Sequence, residues 1–72
     1  MKHIEIHQEP VSLYKILKFE GMVSSGAEAK IAVANGQVLV NDKIETRKRR
    51  KIKVGDVIEF LDEQFAIRLM QR

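Results

Sequence analysis

Residues 43–53 read Lys-Ile-Glu-Thr-Arg-Lys-Arg-Arg-Lys-Ile-Lys, seven basic side chains against one acid, while the rest of the 72-residue chain carries six basic and nine acidic groups. The formal net charge of +3 is therefore a strongly positive patch set in an acidic remainder, and a patch of that kind attracts a polyanion. Its centre, Arg47-Lys48-Arg49-Arg50-Lys51, cannot form a half-buried strand, because five consecutive long cations would put charge on both faces. It is a loop or an exposed edge. Arginine offers a planar fork for phosphate oxygens and stacks on bases, whereas lysine offers a point charge. Such contacts position a nucleic acid without reading its sequence. The same run also fits a solvated turn that keeps a sheet edge from pairing with another chain, or a sequence like a nuclear import signal.

Other residues with chemical potential are few. Lys30 stands alone as a cation in the stretch Ala27–Ala34, whose other members are small or apolar apart from Glu28, so it either projects toward a ligand or fills a solvent-facing position. Lys15 and Lys18, three apart on a helix, would extend the patch or form an ordinary solvated face. Gln37 and Asn41 can hydrogen-bond to a ribose or a base edge, and each is equally explained by helix-end or turn chemistry. Asp56 after Gly55 reads as a turn residue. His3 and His7 are the only imidazoles, too few ligands for a metal site. Without Cys, and with no Ser that has an evident His or Lys base, no nucleophile stands out, and neither an enzyme nor a cofactor is expected. Aromatic residues are scarce: Tyr14 is the only Tyr, Trp is absent, and Phe19, Phe60 and Phe65 fall where core residues are expected. That favours reading of nucleic-acid shape and backbone over stacking on single strands.

The elements that hold these residues follow from periodicity. At 72 residues the chain forms one small domain that buries only about 60% of its unfolded surface. A composition of 44% hydrophobic and 32% charged residues, with one Pro and four Gly, is that of a folded chain. The absence of Cys excludes a disulfide framework and fits a reducing cytoplasm. The longest strictly apolar run, residues 31–34, is far short of the roughly 20 that a membrane span needs. The N-terminus lacks a basic-then-apolar secretory pattern. We expect a soluble, cytoplasmic protein.

Residues 3–7 alternate with period two, as a strand does, and Pro10 interrupts them. Leu13, Ile16 and Leu17 then mark one face of a helix running to about Glu20, with Gly21 as its stop. Ser25 and Glu28 make a capping box for a second helix, Ala27 to Asn35, and Gly36 ends it. Val38 and Val40, the turn Asn41-Asp42, and residues 43–46 read as a hairpin. Ile52 and Val54 lead through Gly55-Asp56 into a strand at 57–60, Glu63-Gln64 turns the chain, and Phe65, Ile67 and Leu69 form the last strand. The expected class is α+β, two short helices packed on a small, largely antiparallel sheet.

With these elements placed, residues 13–60, about two thirds of the chain, resemble the RNA-binding domain of small-subunit ribosomal protein S-four, the αL RNA-binding motif, in its small stand-alone bacterial version. The carriers are Leu-Tyr-Lys-Ile-Leu-Lys (13–18), Gly21, Ser24-Ser25, Ala29-Lys30, Asn35-Gly36-Gln37-Val38, Val40-Asn41 and Val54-Gly55-Asp56-Val57-Ile58. The resemblance implies that two helices and the following hairpin form one basic surface for structured RNA: ribosomal, transfer or precursor RNA, with the ribosome or its precursors as the expected setting and the protein a monomer. Mapped onto this chain, it nominates Ser25, Lys30, Gln37 and the basic run, Lys43, Arg47, Lys48, Arg49, Arg50, Lys51 and Lys53, with Lys15 and Lys18 beside them. Many members begin the first helix with Arg-Leu-Asp and the second with Ser-Arg. This chain has Ser12-Leu13-Tyr14 and Ser25-Gly26, which shifts the expected contact to Arg47–Lys51. Two alternatives stay open: a helix-turn-helix DNA binder built from residues 13–35, though its second helix has almost no base-reading side chains, and an adaptor whose basic loop docks on an acidic protein of a ribosomal or RNA-processing assembly.

Overall fold

The computed structural model describes residues 2–70, which run β1 (Lys2–Ile6), β2 (Val11–Ser12), α1 (Leu13–Phe19), α2 (Gly26–Ala34), β3 (Val38–Val40), β4 (Lys43–Ile44), β5 (Lys51–Ile52), β6 (Val57–Phe60) and β7 (Glu63–Leu69). Five strands form a sheet in the order β1-β7-β6-β3-β4, and β2 with β5 forms a separate antiparallel pair. All neighbours in the larger sheet are antiparallel except β1 and β7. Alternation places Ile4 and Ile6, Val38 and Val40, Ile58 and Phe60, and Ile67 on the buried face. In register, Val40 lies opposite Ile58, Ile58 opposite Phe65, and Ile4 opposite Ile67. The two helices cover that face. Leu13, Ile16 and Leu17 of α1 and Ala29, Ala32 and Val33 of α2 join the same core cluster, as spacings of three and four require.

The helix ends are set by local chemistry. Ser25 is the N-cap of α2, its hydroxyl accepting from the Glu28 N–H at 3.1 Å. The reciprocal half of a capping box is absent, because the Glu28 carboxylate instead accepts from the Ser24 hydroxyl at 2.7 Å. Both helices begin or end one residue earlier than the apolar spacing suggests: Glu20 and Asn35 are C-caps outside the helical turns. Gly36 follows at φ +74°, a left-handed backbone that glycine adopts at low cost.

Several expectations are corrected. The final hairpin turns at Leu61-Asp62, both with positive φ (52° and 64°), while Glu63 and Gln64 already belong to β7. The strand expected at residues 43–46 stops at Ile44, with the Glu45 backbone N–H still donating to the Val38 carbonyl at 2.9 Å. The β2–β5 pair has no periodic signature, since two residues per strand are too few to alternate. Phe19 is 70% exposed and contributes nothing to the core; it sits in the last turn of α1, off the face of Leu13, Ile16 and Leu17.

Asn41-Asp42 (φ 53° and 69°) and Leu61-Asp62 close their two-residue hairpins with positive φ at both positions, the conformation for which Asn and Gly are suited and a branched apolar residue is not. Leu61 is 72% exposed, so no packing offsets its strain. Leu61→Asn is expected to stabilise the fold by about 0.5–1 kcal/mol, raising Tm by roughly 2–8 °C in thermal unfolding followed by circular dichroism. An unchanged or lower Tm would show that the strain is absorbed elsewhere.

Candidate nucleic-acid interface

The basic run is held by its one acid. Glu45 is 6% exposed, and its backbone N–H donates to the Val38 carbonyl at 2.9 Å, closing the β3–β4 hairpin. Its Oε2 accepts from the Arg47 backbone N–H at 3.0 Å and from Arg47 Nε at 2.9 Å; its Oε1 accepts from Arg47 Nη2 at 3.2 Å and Arg50 Nη1 at 2.8 Å. The fork of Arg47 is thus engaged on two donors, a geometry lysine cannot supply. Between these arginines the chain turns, the Arg50 N–H donating to the Arg47 carbonyl at 3.1 Å.

That turn is docked on the start of α1. The Leu13 N–H donates to the Arg50 carbonyl at 2.9 Å and the Tyr14 N–H to the Lys48 carbonyl at 3.1 Å. These are first-turn donors that a helix leaves without intrahelical partners, and the N-cap Ser12 makes no side-chain cap. The loop backbone supplies the cap in its place. Beyond it, Ser12 lies opposite Lys51 and Val11 opposite Ile52 in the β2–β5 pair. The basic run is consequently fixed at four points: the Glu45 carboxylate, two α1 donors and a strand pair.

Tyr14 then joins the loop to α2. Lys30 Nζ stands 4.9 Å from the centre of its ring, and the Arg49 guanidinium 5.8 Å from it, both within cation–π range. Lys30 is half-buried by this contact. Lys48, Lys51 and Lys53 are exposed, as are Lys15 and Lys18 on α1 and Lys43 on the edge strand β4. Lys15 and Lys51 line one groove together. Lys18 runs along Gly26, its Cδ 3.7 Å from where a Cβ would stand. Gln37 lies apart, bordering a depression shared with Glu59 and Asp62. Asn41 is occupied: its side-chain amide donates to Asp56 Oδ1 at 3.1 Å, and its Oδ1 accepts from the Val57 N–H at 2.9 Å. Asp56 Oδ2 also accepts from the Lys53 N–H at 2.9 Å. Ser25 caps α2, with its hydroxyl exposed. His3 and His7 are exposed, and the described residues contain no cluster of three or more metal-ligating side chains. No helix among them is long and apolar enough to cross a membrane.

Sequence reasoning missed Tyr14 and Glu45. Glu45 carried a signal, being the single acid of the run, two and five residues before the arginines it binds. Tyr14 carried none, because its partners arrive from distant segments.

Hydrogen bonding from Arg47, reinforced by Arg50 and opposed by burial, lowers the Glu45 pKa from 4.5 to about 2, while the same carboxylate raises that of Arg47. A depressed carboxylate pKa stabilises the fold above its unfolded value and ceases to do so as the group protonates in the folded state. The contribution, about 1–3 kcal/mol after allowing for the solvent exposure of the arginine side, is therefore expected to disappear as pH falls from 4.5 toward 2. Glu45→Gln should lower stability by that amount at neutral pH and flatten the acid limb of the Tm–pH curve. An acid limb identical to that of the native chain would remove Glu45 from this role.

The comparisons with known proteins agree with this architecture. The S4 domain family model matches residues 4–68, a wider span than the residues 13–60 suggested by sequence. YbcJ of Escherichia coli K12 is 54% identical over 50 residues, covering 69% of this chain and 71% of that protein. RlbA of Bacillus subtilis 168, a protein named for ribosome maturation, is 41% identical over 56 residues, 78% of this chain and 79% of its own. The solution structure of E. coli YbcJ, described as having an αL motif involved in RNA binding, superposes with a TM-score of 0.69 at 43% identity, covering 93% of this chain and 86% of that one. On the match over residues 4–68 and the identity to these relatives, the chain belongs to the S4 domain family.

Proposed function

We propose that this chain binds structured RNA, with no catalytic step of its own, through one basic surface formed by α2 and the loop of residues 47–51. The observation that carries the reading is the Tyr14 ring, against which Lys30 and Arg49 both lie although they come from different elements. Two cations brought to one side chain add to a single local positive field, which a polyanion offsets. A backbone phosphate fits, because it has oxygens for both an arginine fork and an ammonium.

The Glu45 contacts divide the run into two kinds of cation. Arg47 and Arg50 spend donors on the carboxylate and shape the loop. Lys30, Lys48 and Arg49 are the primary phosphate contacts, and Lys15, Lys18, Lys43, Lys51 and Lys53 add to the attracting field. Ser25 acts first as a cap, and we leave Gln37, beside Glu59 and Asp62, outside the contact set. The likeness to the YbcJ structure supports RNA as the polyanion, and the ribosome-maturation name of the Bacillus relative supports ribosomal RNA or its precursors as the class. We place this activity in the bacterial cytoplasm, with the chain acting as a monomer.

For four to six phosphate contacts, log K for a folded RNA hairpin should fall with log salt at a slope of roughly −3 to −5. Replacing Lys48 and Arg49 together by Ala should make the slope shallower by about 2 and lower stability by no more than about 1 kcal/mol, the worth of the exposed Arg49–Tyr14 contact, since Glu45 and the loop backbone hold the loop. A salt titration of the hairpin and of a DNA duplex of equal length checks this. Unchanged slope in the double variant, or equal affinity for RNA and DNA at every salt, would overturn the reading.

A further inference from the structure

Phe19 is the feature that the basic surface leaves unexplained. It is 70% exposed in a chain with only four aromatic residues. It lines a groove of about 610 Å³ between α1 and the segment running from β1 to β2, a size suited to a small ligand. On α1 this groove is lined by Lys15, Ile16 and Phe19, spaced along one helix face, and on the side of the β1–β2 segment by Pro10, Val11 and Ser12. Lys51 lines it too, opposite Ser12 in the β2–β5 pair.

We propose that this groove receives one unpaired base of the bound RNA, stacked on Phe19, with the adjoining phosphate at Lys15 and Lys51. The inference rests on the RNA-binding reading above and extends it to a second contact of different chemistry. Continuity carries it: Lys51 is the last of the five consecutive cations, so the groove opens where the basic loop ends. Polarity along the groove carries it further. Lys15 and Lys51 lie toward the start of α1, whereas Glu20 caps its C-terminal end. A phosphate is drawn to the first end and repelled from the second, which leaves the base to lie along Phe19. Glu5, the other carboxylate on the lining, faces Arg68 at 3.4 Å. Stacking on a single ring is tolerant of base identity, so the contact selects for an unpaired nucleotide and not for a sequence.

The test uses the full chain and two RNA hairpins with the same stem, one ending in a three-nucleotide single-stranded flank and one in an abasic flank of equal length and charge. The native chain should bind the base-bearing flank about 5- to 100-fold more tightly. Phe19→Ala should abolish that preference while leaving affinity for the abasic hairpin and its salt slope unchanged, because no phosphate contact is lost. Phe19→Leu, which keeps apolar bulk without a π-face, should lose the preference likewise, and Phe19→Trp should retain it, with its emission quenched by the base-bearing RNA alone. Equal affinity of the native chain for the two hairpins, or a preference that survives in both Phe19→Ala and Phe19→Leu, overturns the proposal and leaves the groove to a protein segment. Failure to bind either hairpin would instead overturn the RNA-binding reading itself.

Discussion

Arg47 and Arg50 converge on the carboxylate of Glu45, and the path of the basic loop depends on that convergence. Five adjacent cations repel one another and favour an extended, solvated segment. A buried carboxylate between two of them reverses the balance locally, because charge-assisted hydrogen bonds form where solvent competes least. The same hydrogen bonds hold the Glu45 carboxyl well below the usual carboxylate range. Loop charge therefore coexists with loop order, and a defined surface can be built from residues that would otherwise favour disorder.

The loop's order is passed on through its backbone. With the turn at residues 47–50 fixed, the carbonyls of Lys48 and Arg50 face the first donors of α1. The helix needs them, since Ser12 provides no side-chain cap and α1, at seven residues, is too short to be stable without tertiary support. The same docking brings Arg49 to the Tyr14 ring, where Lys30 of α2 meets it. Three segments distant in sequence thus share one surface, with Tyr14 at their junction.

The chemistry of the two basic residue types explains how the work is divided. Arg47 offers Nε and Nη2 to one carboxylate, a rigid geometry suited to holding a loop. The lysines other than Lys30, with single ammonium heads on flexible stems, remain at exposed positions where they can follow a ligand. On the far side of α1, the Phe19 groove presents apolar surface beside Lys15 and Lys51. A nucleic acid reaching from the loop to the groove would meet charge first and a stacking surface second.

Much of the architecture is legible in the chain alone. Period-two alternation determined the strands at residues 3–6, 38–40, 57–60 and 65–69, and the apolar spacing in α1 and the Ser25 cap determined the helices, because each signal is local and repeated. Charge composition determined the basic loop in the same way. Tertiary structure alone decided the β2–β5 pair, the exposure of Phe19, and the gathering of Lys30 and Arg49 on Tyr14. The physical reason is distance along the chain: a two-residue strand has no period to display, a phenylalanine at a helix end is buried or exposed according to what packs beside it, and a cation–π contact between residues 14, 30 and 49 exists only once the loop has docked on the helix. Glu45 lies between these cases. Its spacing from Arg47 and Arg50 is written in the sequence, but only burial turned that spacing into the interaction on which the loop depends.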